Sequence, residues 1–233
     1  MIGVVQFPGS CDERDALAAV EHTGEGRLVW HEETDLSGLD GVVVPGGFSY
    51  GDYLRAGAIA RFSPAMEAVS RFAAEGGPVL GICNGFQVLC EAGLLPGALL
   101  PNEGLLFICR QVELTTEDFS GPFGSAMSAG ERLSIPVKHM SGRYFAPSED
   151  LGRMEANGQI AFRYAPGENP NGSVRDIAGV VNEAGNVLGL MPHPEHAVDP
   201  LTCSDDGLAL FRALAGAHPI TVRADARPPV SAA

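Results

Sequence analysis

The sequence predicts a doubly wound α/β fold: a mostly parallel central sheet with helices on both faces and antiparallel hairpins added to that core. Two observations predict it. Up to about residue 100, short β-branched runs alternate with helical patterns, as strand–helix–strand units require. Beyond that point the chain changes to longer extended segments separated by turn residues.

Taken in order, "IGVVQF" from Ile2 reads as the first strand, and "CDERDALAAVEHTG" as a helix stopped at Gly24. "RLVWHE" is the second strand and "GVVVPGG" the third, running into a glycine pair. The next helix is marked at both ends: Ser63 is its N-cap, Pro64 takes the first helical position, and glycines follow its last turn. "PVLGI" is then a buried central strand, with a helix beginning near Asn84 behind it. "LLFICRQVEL", "ERLSIPVKH", "GQIAFRYA" and "IAGVVNEAGNVLGLM" read as hairpin strands, the last pair turned by "NEAGN", and "SDDGLALFRALAG" closes with a helix. Residues 1–220 are expected to form a single domain, and 221–233 a frayed C-terminal tail.

Charge and composition narrow the chemistry. A formal charge of −14 over 233 residues repels a phosphate backbone, so nucleic acid is not expected as a ligand. No Gly-x4-Gly-Lys-Ser/Thr loop is present, so any ATP use falls to another chain. No apolar run approaches bilayer length, and "MIGVVQFPGS" lacks the layout of a secretory signal; the expectation is a cytoplasmic protein with no membrane partner. Five cysteines without a paired CxxC spacing suit a reducing compartment and leave room for a working thiol.

Cys83 is the candidate. In "GICNG", Gly81-x-Cys83-x-Gly85 places it between an apolar strand and a helix start, where the turn exposes the side chain and the helix N-terminus favours a thiolate. The alternative is a buried cysteine acting as a small hydrophobe. A cysteine nucleophile needs a base and a group to orient it. His193 in "MPHPEH" follows a strand and sits in a proline-stiffened turn, with Glu195 two residues on to reach the imidazole; a merely structural histidine is the alternative. His193 and His196 also flank Glu195 in the manner of a metal pair, but they are not one helical turn apart and the prolines oppose a helix, so no metal is expected. In "VVVPGGFSYGD" the glycine pair lets backbone N–H groups approach a substrate and, with the N–H of Asn84, form an oxyanion hole. An ordinary turn is the alternative there; a phosphate loop is disfavoured by the missing lysine.

"VVQFPGS", "PGGFSYGDYLRAGAIA", "GICNGFQ", "NPNGS" and "IAGVVNEAGNVLGLMPHPE" together resemble, in order from residue 3 to about 215, the glutamine amidotransferase subunits of phosphoribosylformylglycinamidine synthase. GGFSYGD and NPNGS set this family apart from other class I (triad) amidotransferases, whose fold is flavodoxin-like. The resemblance implies that Cys83 attacks the side-chain amide of L-glutamine to form a thioester, that His193 shuttles the proton, and that Glu195 steadies the imidazolium. It implies oxyanion N–H groups at Gly47 and Asn84, and contact of Gln87 with the bound glutamine. It also implies partners: a large synthetase subunit that converts formylglycinamide ribonucleotide to the amidine, commonly with a third, small subunit. ATP and magnesium belong to the synthetase, and this chain binds no cofactor of its own.

Two segments depart from the family pattern. In "PVKHMSGRY", Met140 and Ser141 stand where many relatives carry a glycine and an acid, and His196 stands where an arginine often follows the Pro-Glu. The latter reads as a solvated turn residue. Cys11 has no base identified beside it and, like Cys90, Cys109 and Cys203, reads as non-catalytic. Two other classes of function compete with the glutaminase: a stand-alone cysteine hydrolase on the same scaffold, and a non-enzymatic regulatory subunit. The complete Cys/His/Glu set opposes the second, and Gln87 with the GGFSYGD loop opposes the first.

Overall fold

The first of the two sequence regions folds as its pattern requires. β1 (Ile2–Gln6), α1 (Glu13–Glu21), β2 (Gly26–Trp30), β3 (Gly41–Val44), α2 (Pro64–Ala74), β4 (Val79–Ile82) and α3 (Asn84–Glu91) alternate strand and helix. The structure is a computed structural model and describes residues 1–216; the end of the expected domain, 217–220, and the expected tail, 221–233, lie outside the described residues. Ser63 caps α2 as its sequence dictates, its hydroxyl accepting from the Met66 N–H at 3.3 Å. β3 and β4 are buried at every position, which is why they read as continuous apolar runs.

The second region adds β5 (Ala98–Leu100), β6 (Ile108–Thr116), α4 (Gly121–Ser125), β7 (Arg132–His139), β8 (Arg143–Phe145), α5 (Ser148–Ala156), β9 (Ile160–Tyr164), β10 (Ile177–Val181), β11 (Val187–Leu190) and α6 (Leu208–Leu214). The central sheet has nine strands in the order β2-β1-β3-β4-β11-β10-β9-β6-β7. From β2 to β11 neighbouring strands run parallel, and from β11 to β7 they run antiparallel. The hairpin that sequence places at 177–191 therefore does two jobs. Its second strand, β11, joins the parallel half beside β4, and its first, β10, starts the antiparallel half.

β5 and β8 pair in a small separate sheet, and they, α4 and α5 were not evident in the sequence. β5 and β8 are three residues each and are joined by tertiary pairing rather than by any local period. α5 buries only Leu151 and Met154, too few apolar positions to announce a helix.

The antiparallel half curls back over the parallel one. β7 is the edge strand, four positions from β11, so a flat sheet would hold them about 19 Å apart. Instead the His193 N–H donates to the Pro136 carbonyl at 2.8 Å. This closure brings an edge strand over the carboxyl ends of the parallel strands, the place where open α/β sheets hold their ligands.

Candidate active site

At the carboxyl end of β4 the chain turns sharply into α3, and Cys83 is the turn. Its φ of 50° and ψ of −105° lie in a region that L residues rarely adopt, at a cost of about 1–3 kcal/mol. The turn is held on both sides: the Cys83 N–H donates to the Leu190 carbonyl at 2.8 Å, and its carbonyl accepts from the Gln87 N–H at 3.2 Å. Gly85 permits the tight packing behind it, since a Cβ there would stand 1.8 Å from the Val44 carbonyl oxygen. The thiol is thereby set against the positive end of α3, and its sulfur lies 3.8 Å from the Lys138 carbonyl oxygen.

His193 follows the end of β11, the strand beside β4, and is 1% exposed. Its Nδ1 is 2.6 Å from Glu195 Oε1, which fixes the ring and its tautomer. The other nitrogen, Nε2, is buried without a well-formed hydrogen bond. Burial by itself would lower the imidazole pKa; the Glu195 carboxylate and then the neighbouring Cys83 sulfur outweigh it and raise the pKa above its ordinary value. Cysteine, histidine and glutamate are thus brought together, and the electrostatics favour the protonated imidazole.

A second carboxylate enters this cluster unannounced by the sequence. Asp12 occupies the N-cap position of α1 without capping it. Its carboxylate instead ion-pairs with Lys138, places Oδ2 3.7 Å from His193 Nδ1, and places Oδ1 3.6 Å from His196 Nε2. Burial pushes its pKa up, but His196 and Lys138, with the charge of His193, hold it well below the usual carboxylate range. No local pattern could have revealed this, because Asp12 and Lys138 meet only through the curl of the sheet. His196, read as a solvated turn residue, is only 31% exposed, and its Nε2 also lies 3.6 Å from Glu195 Oε1. That reading is corrected: the ring packs into the charged cluster, as its turn folds inward against α1.

Gly47 ends the loop after β3 with φ 142°, and a Cβ there would stand 2.6 Å from the Cys11 nitrogen. Among the described residues its N–H has no acceptor. The Asn84 N–H is the first of α3 and lacks an intrahelical acceptor. These are the donor positions an oxyanion hole needs. The side chain of Asn84 is otherwise engaged. Its Oδ1 accepts from the Ser49 N–H at 3.0 Å, while Nδ2 donates to Gln87 Oε1 at 2.8 Å and to Asp52 at 3.1 Å. Gln87 passes the chain of contacts on, its Nε2 donating to the Ser141 carbonyl at 2.6 Å. Asn84 and Gln87 therefore tie the GGFSYGD loop, α3 and the 138–143 segment together around one pocket.

That pocket, about 100 Å³, opens onto Cys83 and is walled by Gly47, Phe48, Gln87, Lys138 and Met140. The far wall is held by a polar hub. Buried His139 sits 3.1 Å from Asn102 Oδ1 and 3.4 Å from Asn171 Nδ2. Because Asn102 Nδ2 donates to the Leu106 and His139 carbonyls, its Oδ1 is the acceptor, so His139 Nδ1 carries the proton. Burial, aided by the charge on His193, takes the His139 pKa down to about 4 and keeps the ring neutral. Asn171, from NPNGS, also donates to the Gly142 carbonyl at 2.8 Å. The motif thus braces the loop that faces Cys83, a role its sequence did not disclose.

Known proteins resemble this chain along most of its length. Residues 1–207 match the model of the CobB/CobQ-like glutamine amidotransferase domain. The phosphoribosylformylglycinamidine synthase subunit PurQ of Rubrobacter xylanophilus is 58% identical over 218 residues, covering 93% of this chain and 98% of that protein. Its namesake from Salinibacter ruber is 55% identical over 221 residues, covering 91% and 94%. The chain belongs to the PurQ family of glutamine amidotransferases. A chain of the solved structure of PurLQS from Thermotoga maritima superposes with a TM-score of 0.84 at 42% identity, covering 92% of this chain and 97% of that one. The flavodoxin-like amidotransferase fold extends further: a glutamine amidotransferase from the same organism matches with a TM-score of 0.57 at 16% identity. In this PurQ-family chain the departure at Met140 and Ser141 is absorbed by main chain, because Gln87 takes the Ser141 carbonyl rather than its side chain.

Proposed function

We propose that this chain is the glutaminase subunit of phosphoribosylformylglycinamidine synthase, acting through Cys83, His193 and Glu195 in de novo purine biosynthesis. The observation that carries the reading is the convergence of a strained cysteine elbow with a buried, carboxylate-oriented histidine at one sheet edge, in a chain of this family. The Cys83 thiolate attacks the side-chain carbonyl carbon of L-glutamine. The oxyanion that forms is met by the N–H groups of Gly47 and Asn84. His193, as imidazolium, gives its Nε2 proton to the departing nitrogen; ammonia leaves and the γ-glutamyl thioester remains. The now neutral imidazole takes a proton from water, the hydroxide attacks the thioester, and glutamate is released. Glu195 stabilises the imidazolium and fixes its tautomer throughout.

Ammonia passes to the large synthetase subunit, which uses ATP and magnesium to convert formylglycinamide ribonucleotide to formylglycinamidine ribonucleotide; a small third subunit completes the complex. This chain itself needs no cofactor for the glutaminase steps, since protein groups supply the nucleophile, base and oxyanion donors. A cytoplasmic location fits the reading. All five cysteines are free thiols, and among the described residues no helix is long and apolar enough to cross a membrane.

The test mixes the chain with the synthetase and the small subunit of its own source, ATP and magnesium, and follows amidine formation. Wild type is expected to support synthesis from glutamine, and Cys83→Ser only from added ammonium, with the glutamine-dependent rate down by at least three orders of magnitude. Glutamine-dependent synthesis surviving in Cys83→Ser would remove Cys83 as the nucleophile. Failure of wild type where ammonium succeeds would move the chain to the stand-alone hydrolase class.

A further inference from the structure

We infer that Asp12, His193, Glu195 and His196 form a Zn²⁺ site, and that its occupation takes the base and its orienting acid out of catalysis. One atom from each of these four residues lies within 4.8 Å of every other. Zinc favours four nitrogen, oxygen or sulfur ligands in a tetrahedron, at about 2.0–2.1 Å, which puts neighbouring ligand atoms about 3.4 Å apart. Three distances already in place are close to that: 3.6 Å from His196 Nε2 to Asp12 Oδ1, 3.6 Å from His196 Nε2 to Glu195 Oε1, and 3.7 Å from His193 Nδ1 to the other Asp12 oxygen, Oδ2, either of which can serve as the aspartate's ligand atom.

Two polar atoms of these residues are poorly satisfied without a metal. His196 Nε2 and Glu195 Oε2 are both buried with no hydrogen-bond partner, and Glu195 as a residue is 3% exposed. Leaving such groups unpaired is unfavourable, and a cation held between them would satisfy both. Two imidazoles and two carboxylates also form a donor set that suits zinc better than magnesium or calcium, which prefer oxygen alone. The partly exposed edge of the His196 ring gives the ion a way in.

Binding replaces the proton between His193 Nδ1 and Glu195 Oε1 with the metal ion, and that proton goes to solvent. The 2.6 Å contact between those atoms must lengthen, and Lys138 must yield part of its hold on Asp12. The spacing argument against a helical metal pair is sound for His193 and His196 alone. It fails here because the fold brings Asp12 from the opposite end of the chain. An arginine in place of His196 would supply a cation where the metal needs a ligand.

The inhibitory consequence rests on the glutaminase reading, but the site itself is tested without activity. The full-length Cys83→Ser chain, which lacks the competing thiolate, is titrated with Co²⁺ as a visible probe of tetrahedral coordination and back-titrated with Zn²⁺. The expected result is one Co²⁺ per chain with strong d–d absorption, displaced by Zn²⁺, and at least tenfold weaker binding in Cys83→Ser carrying His196→Arg. Absence of binding, or binding that ignores His196→Arg and His196→Gln alike, overturns the site. In the complete synthase, Zn²⁺ should inhibit glutamine-dependent synthesis, with the half-inhibiting concentration raised at least tenfold by His196→Arg, each protein normalised to its own uninhibited rate. Equal sensitivity of both proteins means that zinc acts elsewhere, at Cys83 or on another subunit, and overturns the inhibitory role. If the untreated synthase shows no glutamine-dependent rate, it is the glutaminase reading that fails, and the Co²⁺ titration still decides the metal site.

Discussion

The parallel and antiparallel halves of the sheet contribute different things to one pocket. The parallel half supplies the groups we propose to react: Cys83 after β4, His193 and Glu195 after β11, and Gly47 after β3, all at the carboxyl edge. The antiparallel half supplies none of these. It supplies the wall and the counter-charge, through Lys138, His139 and the segment after β7, which reaches the nucleophile only because the sheet curls. The proposed chemistry sits where neighbouring parallel strands end together, and a wall and counter-charge come from a strand brought over them.

Breaking a reacting group should have the largest effect. Glu195→Gln keeps the size of the side chain but replaces the acceptor that sets the His193 tautomer at 2.6 Å. A fall of about 10³-fold in glutamine-dependent kcat is expected, equivalent to about 4 kcal/mol, with ammonium-dependent synthesis unchanged. A fall below tenfold would show that Asp12 can substitute for Glu195, and the two halves would then be less distinct than their residues suggest. Next comes the elbow itself. Gly85→Ala drives a Cβ against the Val44 carbonyl and should reduce stability by about 3 kcal/mol, read from the urea midpoint. A near-normal midpoint would mean that α3 can shift away from β3 at little cost.

Damage to the wall should be milder and of another kind. Asn171→Ala removes donors to Gly142 and His139 in the buried hub. A loss of about 2 kcal/mol in stability is expected, with KM for glutamine raised several-fold and kcat little changed. A fall in kcat at constant KM would instead place the hub's influence on the nucleophile.

The same division marks what could be read from the amino-acid sequence. The strands and helices of the parallel half are local events: β-branched runs, Ser63 and Pro64 at a helix start, glycines where a helix packs tightly. Cys83, His193 and Glu195 were legible because each lies in a short motif whose geometry is fixed by its own neighbours. Asp12, Asn102 and the role of NPNGS were not, because their meaning depends on which distant residue they meet. Asp12 stands at the N-cap position of α1, and the fold turns its carboxylate to Lys138 and His193. His196 was misjudged for the same reason, since nothing within its own turn carries the charges that surround it.

Asp12 links the two halves, and its charge gives the smallest but most specific test. Its folded pKa is depressed: burial opposes ionisation, yet His196 and Lys138, with the charge on His193, more than compensate. A depressed carboxyl contributes stability that is fully present above its unfolded pKa of about 3.9 and is lost as pH falls toward the folded value. Asp12→Asn should therefore be less stable than wild type by about 1 kcal/mol at pH 7, and the gap should close as the pH is lowered through about 4 and below. Urea midpoints across that range measure it. The histidine supplies the matching readout with the opposite sign. His193 has a raised pKa, so its contribution is present below about 6.5 and fades as pH rises through the folded value; removing the charge 3.7 Å away should move that upper limit down. An NMR titration of the His193 ring in wild type and Asp12→Asn would detect the shift. A gap in stability that is the same at both ends of the acid range, with no movement of the His193 titration, would mean that Asp12 acts through packing alone and that the curl of β7 brings shape, not charge, to the nucleophile.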